Sequence, residues 1–149
     1  MFCKNVAPER TLSMLVRFGI SLDKELLKKF DHLIRGKQYA NRSEAIRDLI
    51  RDSLVKKEWE GNKEVTGAIT LVFNHHKREL VGKLMDIQHH YHDSIISTQH
   101  IHLDGNNCLE IVAVKGTSKE VEELFWKLKS AQGVKHGGFT LTTTGKDLM

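Results

Sequence analysis

The segment Ile95-Ile96-Ser97-Thr98-Gln99-His100-Ile101-His102-Leu103-Asp104-Gly105-Asn106-Asn107-Cys108-Leu109-Glu110-Ile111-Val112-Ala113-Val114-Lys115 reads as two strands joined by a tight turn. Apolar residues fall at Ile101 and Leu103, and again at Leu109, Ile111 and Ala113, the period of two expected of strands. Asp104-Gly105-Asn106 supplies the turn, with Gly or Asn suited to left-handed backbone. If the apolar set faces a helical layer, Ile101 lies opposite Leu109, and His102 then lies opposite Cys108. That pairing needs an odd-length loop, because a two-residue turn would set Cys108 level with Leu103. Hydrophobic alternation therefore selects a register that collects His100, His102 and Cys108 on one face, pointing away from the helices, with Glu110 beside them.

Histidine is concentrated around this hairpin. Of nine in the chain, seven lie between His75 and His102. His, Cys and carboxylate packed this closely point to a site for a borderline-soft metal. A single such histidine would more often belong to a polar helix end or a half-buried strand. Three donors on an open sheet face make a poor closed site, so a fourth is expected from His89, at the end of the preceding helix, or from another copy of the chain.

Working outward, Ala68–Asn74 reads as a strand and Lys77–His90 as a helix with Leu80, Val81, Leu84, Met85 and Ile87 apolar. After the hairpin, Thr117-Ser118-Lys119-Glu120 has the form of a capping box opening a helix. Gly133 suits its C-terminal cap, and a last strand follows near Phe139–Thr143. The order β-α-β-β-α-β is the ferredoxin-like (ACT-type) pattern.

Towards the N-terminus, Val16, Phe18, Ile20 and Leu22 alternate with Arg17, Gly19 and Ser21, which predicts a strand over Met14–Leu22. A helix from about Asp23 carries Leu26, Leu27, Phe30, Leu33 and Ile34. Asn41-Arg42-Ser43-Glu44 caps a second helix with Ala45, Ile46, Leu49, Ile50 and Leu54 inward. One strand is not a sheet, and about forty residues cannot bury a stable core. Such a unit requires a second copy whose strand pairs with its own, which is a ribbon-helix-helix dimer. The paired strands would present Arg17, Gly19 and Ser21 to the major groove of DNA. Backbone N–H groups near Asn41, Arg42 and Ser43 would suit a phosphate. The expected organisation is an α+β chain: an arm over 1–13, the ribbon-helix-helix module over 14–57, a linker over 58–66 and the ferredoxin-like domain over 67–149.

Apolar content of 40% and charged content of 28% make an ordinary soluble composition. The net charge is +4 and the pI about 9.1, which permits nucleic-acid binding. No apolar run is long enough for a membrane span and no secretory signal is visible. Cys3 and Cys108 stand in such different contexts that no disulfide is expected, and the cytoplasm is the expected compartment.

Several stretches together resemble the NikR-type nickel-responsive transcriptional regulators. They are Val16-Arg17-Phe18 through Ser21-Leu22-Asp23, Asn41 through Asp48, Gln88-His89-His90, His100-Ile101-His102, Cys108-Leu109-Glu110-Ile111 and Gly133-Val134-Lys135-His136-Gly137. The resemblance implies a homotetramer, a dimer of dimers in which two ribbon-helix-helix dimers flank four regulatory domains. It implies Ni(2+) held in a square plane by His100, His102 and Cys108 of one chain and His89 of a neighbour, with Gln88 and Glu110 supporting the ligands. It places Arg17 and Ser21 on the bases of double-stranded operator DNA, Lys77 and Arg78 on phosphates, and Glu44 and Asp48 in a secondary cation site. Gly19 departs from the small hydroxyl residue usual at the middle ribbon position, the arm before Met14 is extra, and His75, His76, His90 and His92 are not assigned to the main site, which leaves them as low-affinity sites or surface residues. The function implied is a nickel-dependent repressor of uptake genes rather than an enzyme. Other readings of the residues are a regulator answering Cu(II) or Co(II), an amino-acid-sensing ribbon-helix-helix regulator, and a hydrolytic metalloenzyme.

Overall fold

The computed structural model describes residues 15–148, which divide into two compact units, 15–45 and 46–148. The proposed arm and Met14 lie outside the described residues.

In the first unit, helix α1 (Lys24–Gly36) begins where the Asp23 carboxylate accepts the Leu26 N–H at 2.9 Å. Helix α2 (Arg42–Glu60) begins where Asn41 Oδ1 accepts the Glu44 N–H, also at 2.9 Å, as the capping-box reading requires. Asp31 binds the Arg42 guanidinium at two points, each 2.7 Å, and that guanidinium holds the Asp31 carboxyl below its ordinary pKa. Residues 15–22, expected as a strand, carry no regular secondary structure and are exposed throughout. The reason is physical: a lone strand has no ladder to join, and the first unit holds no second strand among the described residues. Only Ile34 and Ala45 are buried among the described residues of this unit, while Val16 and Phe18 stand 78% and 69% exposed.

In the second unit, α2 continues to Glu60 and the turn 61–63 leads into β1 (Glu64–Asn74). The segment read as a linker over 58–66 thus holds the end of one element and the start of the next. Then come α3 (Arg78–His90), a 3-10 turn (His92–Ser94), β2 (Ile95–His102), β3 (Asn107–Thr117), α4 (Ser118–Lys129) and β4 (Val134–Thr142). The sheet order is β2-β3-β1-β4 with every neighbouring pair antiparallel, the expected ferredoxin-like arrangement.

Two local expectations are corrected. The capping box at Thr117 forms no side-chain cap. Instead Asn62 Oδ1 accepts the Lys119 N–H at 3.0 Å, and the Ser118 hydroxyl donates to Trp59 O at 2.6 Å. The start of α4 is thereby fastened to the end of α2. The C-cap of α4 is Ser130; Gly133, at φ +106°, turns the chain into β4 three residues later.

The face of the sheet is also corrected. On β3 the buried residues are Cys108, Glu110, Val112 and Val114, while Leu109, Ile111 and Ala113 are only half-buried. Cys108, Val112 and Val114 pack with Ile69, Leu71, Phe73, Leu80, Leu84, Leu124 and Leu128, under the helices. From Ile111 onward β3 is apolar on both faces, so alternation alone could not say which face the helices cover.

Candidate metal centre

The β2–β3 register pairs His102 with Cys108, Ile101 with Leu109 and His100 with Glu110. This is the register selected by hydrophobic alternation, and His100, His102, Cys108 and Glu110 do share a face. That face is the helix-covered one, not the open one. His100 sits edge-on to the buried Phe73, ring centroids 5.8 Å apart, and 5.4 Å from the His102 ring. Asp104 sets the turn that fixes the pairing. Its carboxylate accepts the N–H groups of Asn106 and Asn107, each at 2.7 Å, and the Asn107 side-chain amide at 2.8 Å. Those bonds lower its pKa to about 2, the Asn107 side chain contributing most.

Cys108 has no exposed surface, and its Sγ–H donates to Phe73 O at 3.4 Å. Burial and the nearby Glu110 carboxylate push its pKa up. Glu110, 7% exposed, ties the site to the end of α3. Thr98 Oγ1 donates to Gln88 Oε1 at 3.0 Å, the Gln88 amide donates to Glu110 Oε1, and Glu110 Oε2 lies 3.4 Å from His100 Nδ1. A carboxylate at Nδ1 favours the tautomer whose Nε2 lone pair is available to a cation. Thr98 had no sequence signal; it takes part because β2 runs beside the last turn of α3.

His89 is exposed on that last turn. Among the described residues, no three His, Cys, Asp or Glu side chains of the single chain converge as a metal-holding group. His75 and His76 stand nearby, with His75 4.7 Å from His102 between centroids and His76 Nε2 2.8 Å from Gly105 O. Burial, then the neighbouring His76, lowers the His75 pKa. His90 packs on Tyr91, and His92 lies 3.1 Å from His89 O.

The other expected positions are spread over both units. Arg17, Gly19 and Ser21 are exposed in the segment 15–22. The Arg42 side chain is engaged by Asp31 at the start of α2, beside Asn41 and Ser43. Glu44 and Asp48 are one turn apart on α2, with Asp48 3.5 Å from Arg51. Lys77 caps α3 and Arg78 begins it, both exposed. No helix of the described residues is long and apolar enough to cross a membrane.

The donor chemistry of two imidazoles and a thiol on one face, backed by a carboxylate, fits a nickel ion. Residues 66–142 match the family of the NikR C-terminal nickel-binding domain, and residues 16–57 match the ribbon-helix-helix proteins of the copG family. A relative from Syntrophus aciditrophicus, named "Putative nickel-responsive regulator", is 56% identical, the match covering 91% of this chain and 98% of that one. Relatives of the same name from Pyrococcus abyssi and Thermococcus kodakarensis are 54% and 52% identical, each match covering 91% of this chain and 99% of theirs. A DNA-binding ribbon-helix-helix module joined to a metal-binding sensor domain defines a metal-responsive regulator, not an enzyme. The chain belongs to the nickel-responsive regulator family, and Ni(2+) is its metal.

Proposed function

We propose that the chain is a nickel-dependent repressor that binds a specific operator of double-stranded DNA near nickel-uptake genes in the cytoplasm. The observation that carries the metal side is the pairing of His102 with Cys108, with His100 alongside and backed by Glu110. In this reading His100, His102 and Cys108 of one copy and His89 of another hold Ni(2+) within a homotetramer, a dimer of dimers. When bound, nickel supplies a Lewis-acidic centre that accepts imidazole nitrogen and thiolate sulfur. To serve as thiolate, Cys108 would release its proton to solvent and with it the bond to Phe73 O. Glu110 holds the His100 tautomer, and Gln88 ties Glu110 to the α3 turn that bears His89. Paired segments 15–22 would present Arg17 and Ser21 to bases, with Gly19 leaving space between them. Lys77 and Arg78 would meet phosphate, and Glu44 with Asp48 would hold a secondary cation.

The apolar stripe Val16, Phe18, Ile20 and Leu22 supports the dimer, because so much exposed apolar surface needs cover. Ni(II) titration of wild type and Cys108→Ala tests the ligand set. The sulfur-to-nickel charge-transfer band should vanish in the variant. A full-strength band without Cys108 would refute it.

A further inference from the structure

Tyr91 closes α3 and is 9% exposed. Its N–H donates to Gln88 O at 3.1 Å and Ile87 O at 3.3 Å, and its carbonyl accepts the Ser94 N–H at 2.9 Å. Its hydroxyl reaches across to α4, donating to Glu123 Oε1 at 2.8 Å and accepting from Lys127 Nζ at 2.7 Å. Lys127 and Glu123 are themselves 2.9 Å apart, and the ammonium lies 5.0 Å from the Tyr91 ring centroid. The bonds from Glu123 and Tyr91 raise the Lys127 pKa to about 12.

The last turn of α3 is therefore gripped on both sides of His89. Gln88 fastens it to β2 and β3, and Tyr91 fastens it to α4, while His89 between them points outward beside Met85 and His92. Helix ends otherwise fray. A donor offered to another chain loses affinity in proportion to the conformations it must give up on binding. We propose that Tyr91, gripped by Glu123 and Lys127, is a positioning residue that fixes the direction in which His89 leaves the helix and so sets the strength of the bond from a neighbouring copy to the metal. This rests on the reading of His89 as the donor from another copy.

Tyr91→Phe is a clean test, since the ring stays in place and Lys127 keeps Glu123 as its partner. In the full-length protein, Ni(II) affinity, the ligand-field and charge-transfer spectra, and metal-free amide exchange over residues 87–92 are measured for wild type, Tyr91→Phe, Lys127→Met, their double variant and His89→Ala. Expected for Tyr91→Phe are an affinity about 10-fold weaker, a reduced planar ligand-field band with the Cys108 charge-transfer band retained, and faster exchange at the helix end. Lys127→Met should do the same, and the double variant should be no worse than either single one. Wild-type affinity and spectrum in Tyr91→Phe, with both lost in His89→Ala, would overturn the positioning role alone. Loss of the charge-transfer band in Tyr91→Phe would also overturn it, because the whole site would then depend on Tyr91. A wild-type spectrum in His89→Ala would remove His89 as a donor and the positioning role with it.

Discussion

At the scale of single residues, Asp104 and Arg17 do opposite kinds of work. Asp104 binds three donors within its own turn and so holds His102 level with Cys108. Its pKa falls from an ordinary 3.8 to about 2, so its stabilising contribution is complete above the ordinary value and is lost as pH falls through the lower one. Asp104→Ala should therefore melt below wild type at neutral pH, and the two melting curves should converge near pH 2. A gap that stayed constant down to pH 2 would exclude the carboxylate as its source. Arg17 is exposed in the segment 15–22, and its proposed work is on DNA. Arg17→Ala should weaken operator binding by about 1–3 kcal/mol and relax preference at one base position. Lys77→Ala should weaken all sequences alike and flatten the salt dependence. Footprinting of randomised operators at fixed salt separates the two.

At the scale of elements, the join between α2 and α4 is the least expected part of the fold. The Ser118 hydroxyl, 2% exposed, donates to Trp59 O, and Trp59 Nε1 donates to Thr142 O at 2.9 Å. Ser118→Ala deletes one buried hydrogen bond and should cost about 1–2 kcal/mol of unfolding free energy by denaturant titration; no change would mean that the Asn62 cap alone holds the join. Thr117-Ser118-Lys119-Glu120 has capping-box form, yet its Lys119 N–H is met by Asn62 Oδ1 and its Ser118 N–H by Lys63 O, residues more than fifty positions away that no local pattern could reveal. Other elements were legible. Asp23 and Asn41 begin their helices as their side chains require, and the β2–β3 register follows from Ile101 facing Leu109. The choice of face did not follow, since Leu109 and Ile111 are as apolar as Val112 and Val114. The shared face of His100, His102, Cys108 and Glu110 was legible because turn length and alternation constrain it, but Tyr91 and Thr98 engage through packing between elements, which sequence spacing does not encode. The strand expected over 15–22 is not formed, because among the described residues no other strand of its unit offers it a ladder.

At the scale of the whole molecule, the proposed metal site and DNA surface must be coupled through copies of the chain. A metal strengthens DNA binding only if it binds the DNA-competent arrangement more tightly than the others. Three donors of one chain cannot distinguish arrangements of two chains; a bond from His89 of a neighbour can. That bond would also fix where α3, with Lys77 at its cap and Arg78 in its first turn, stands relative to the neighbouring copy. The most direct test is operator affinity with and without Ni(II), at fixed salt, for wild type and His89→Ala. Wild type should bind markedly tighter with nickel, whereas His89→Ala should still take up the metal weakly and lose most of that gain. An undiminished nickel-dependent gain in His89→Ala would contradict coupling through this residue.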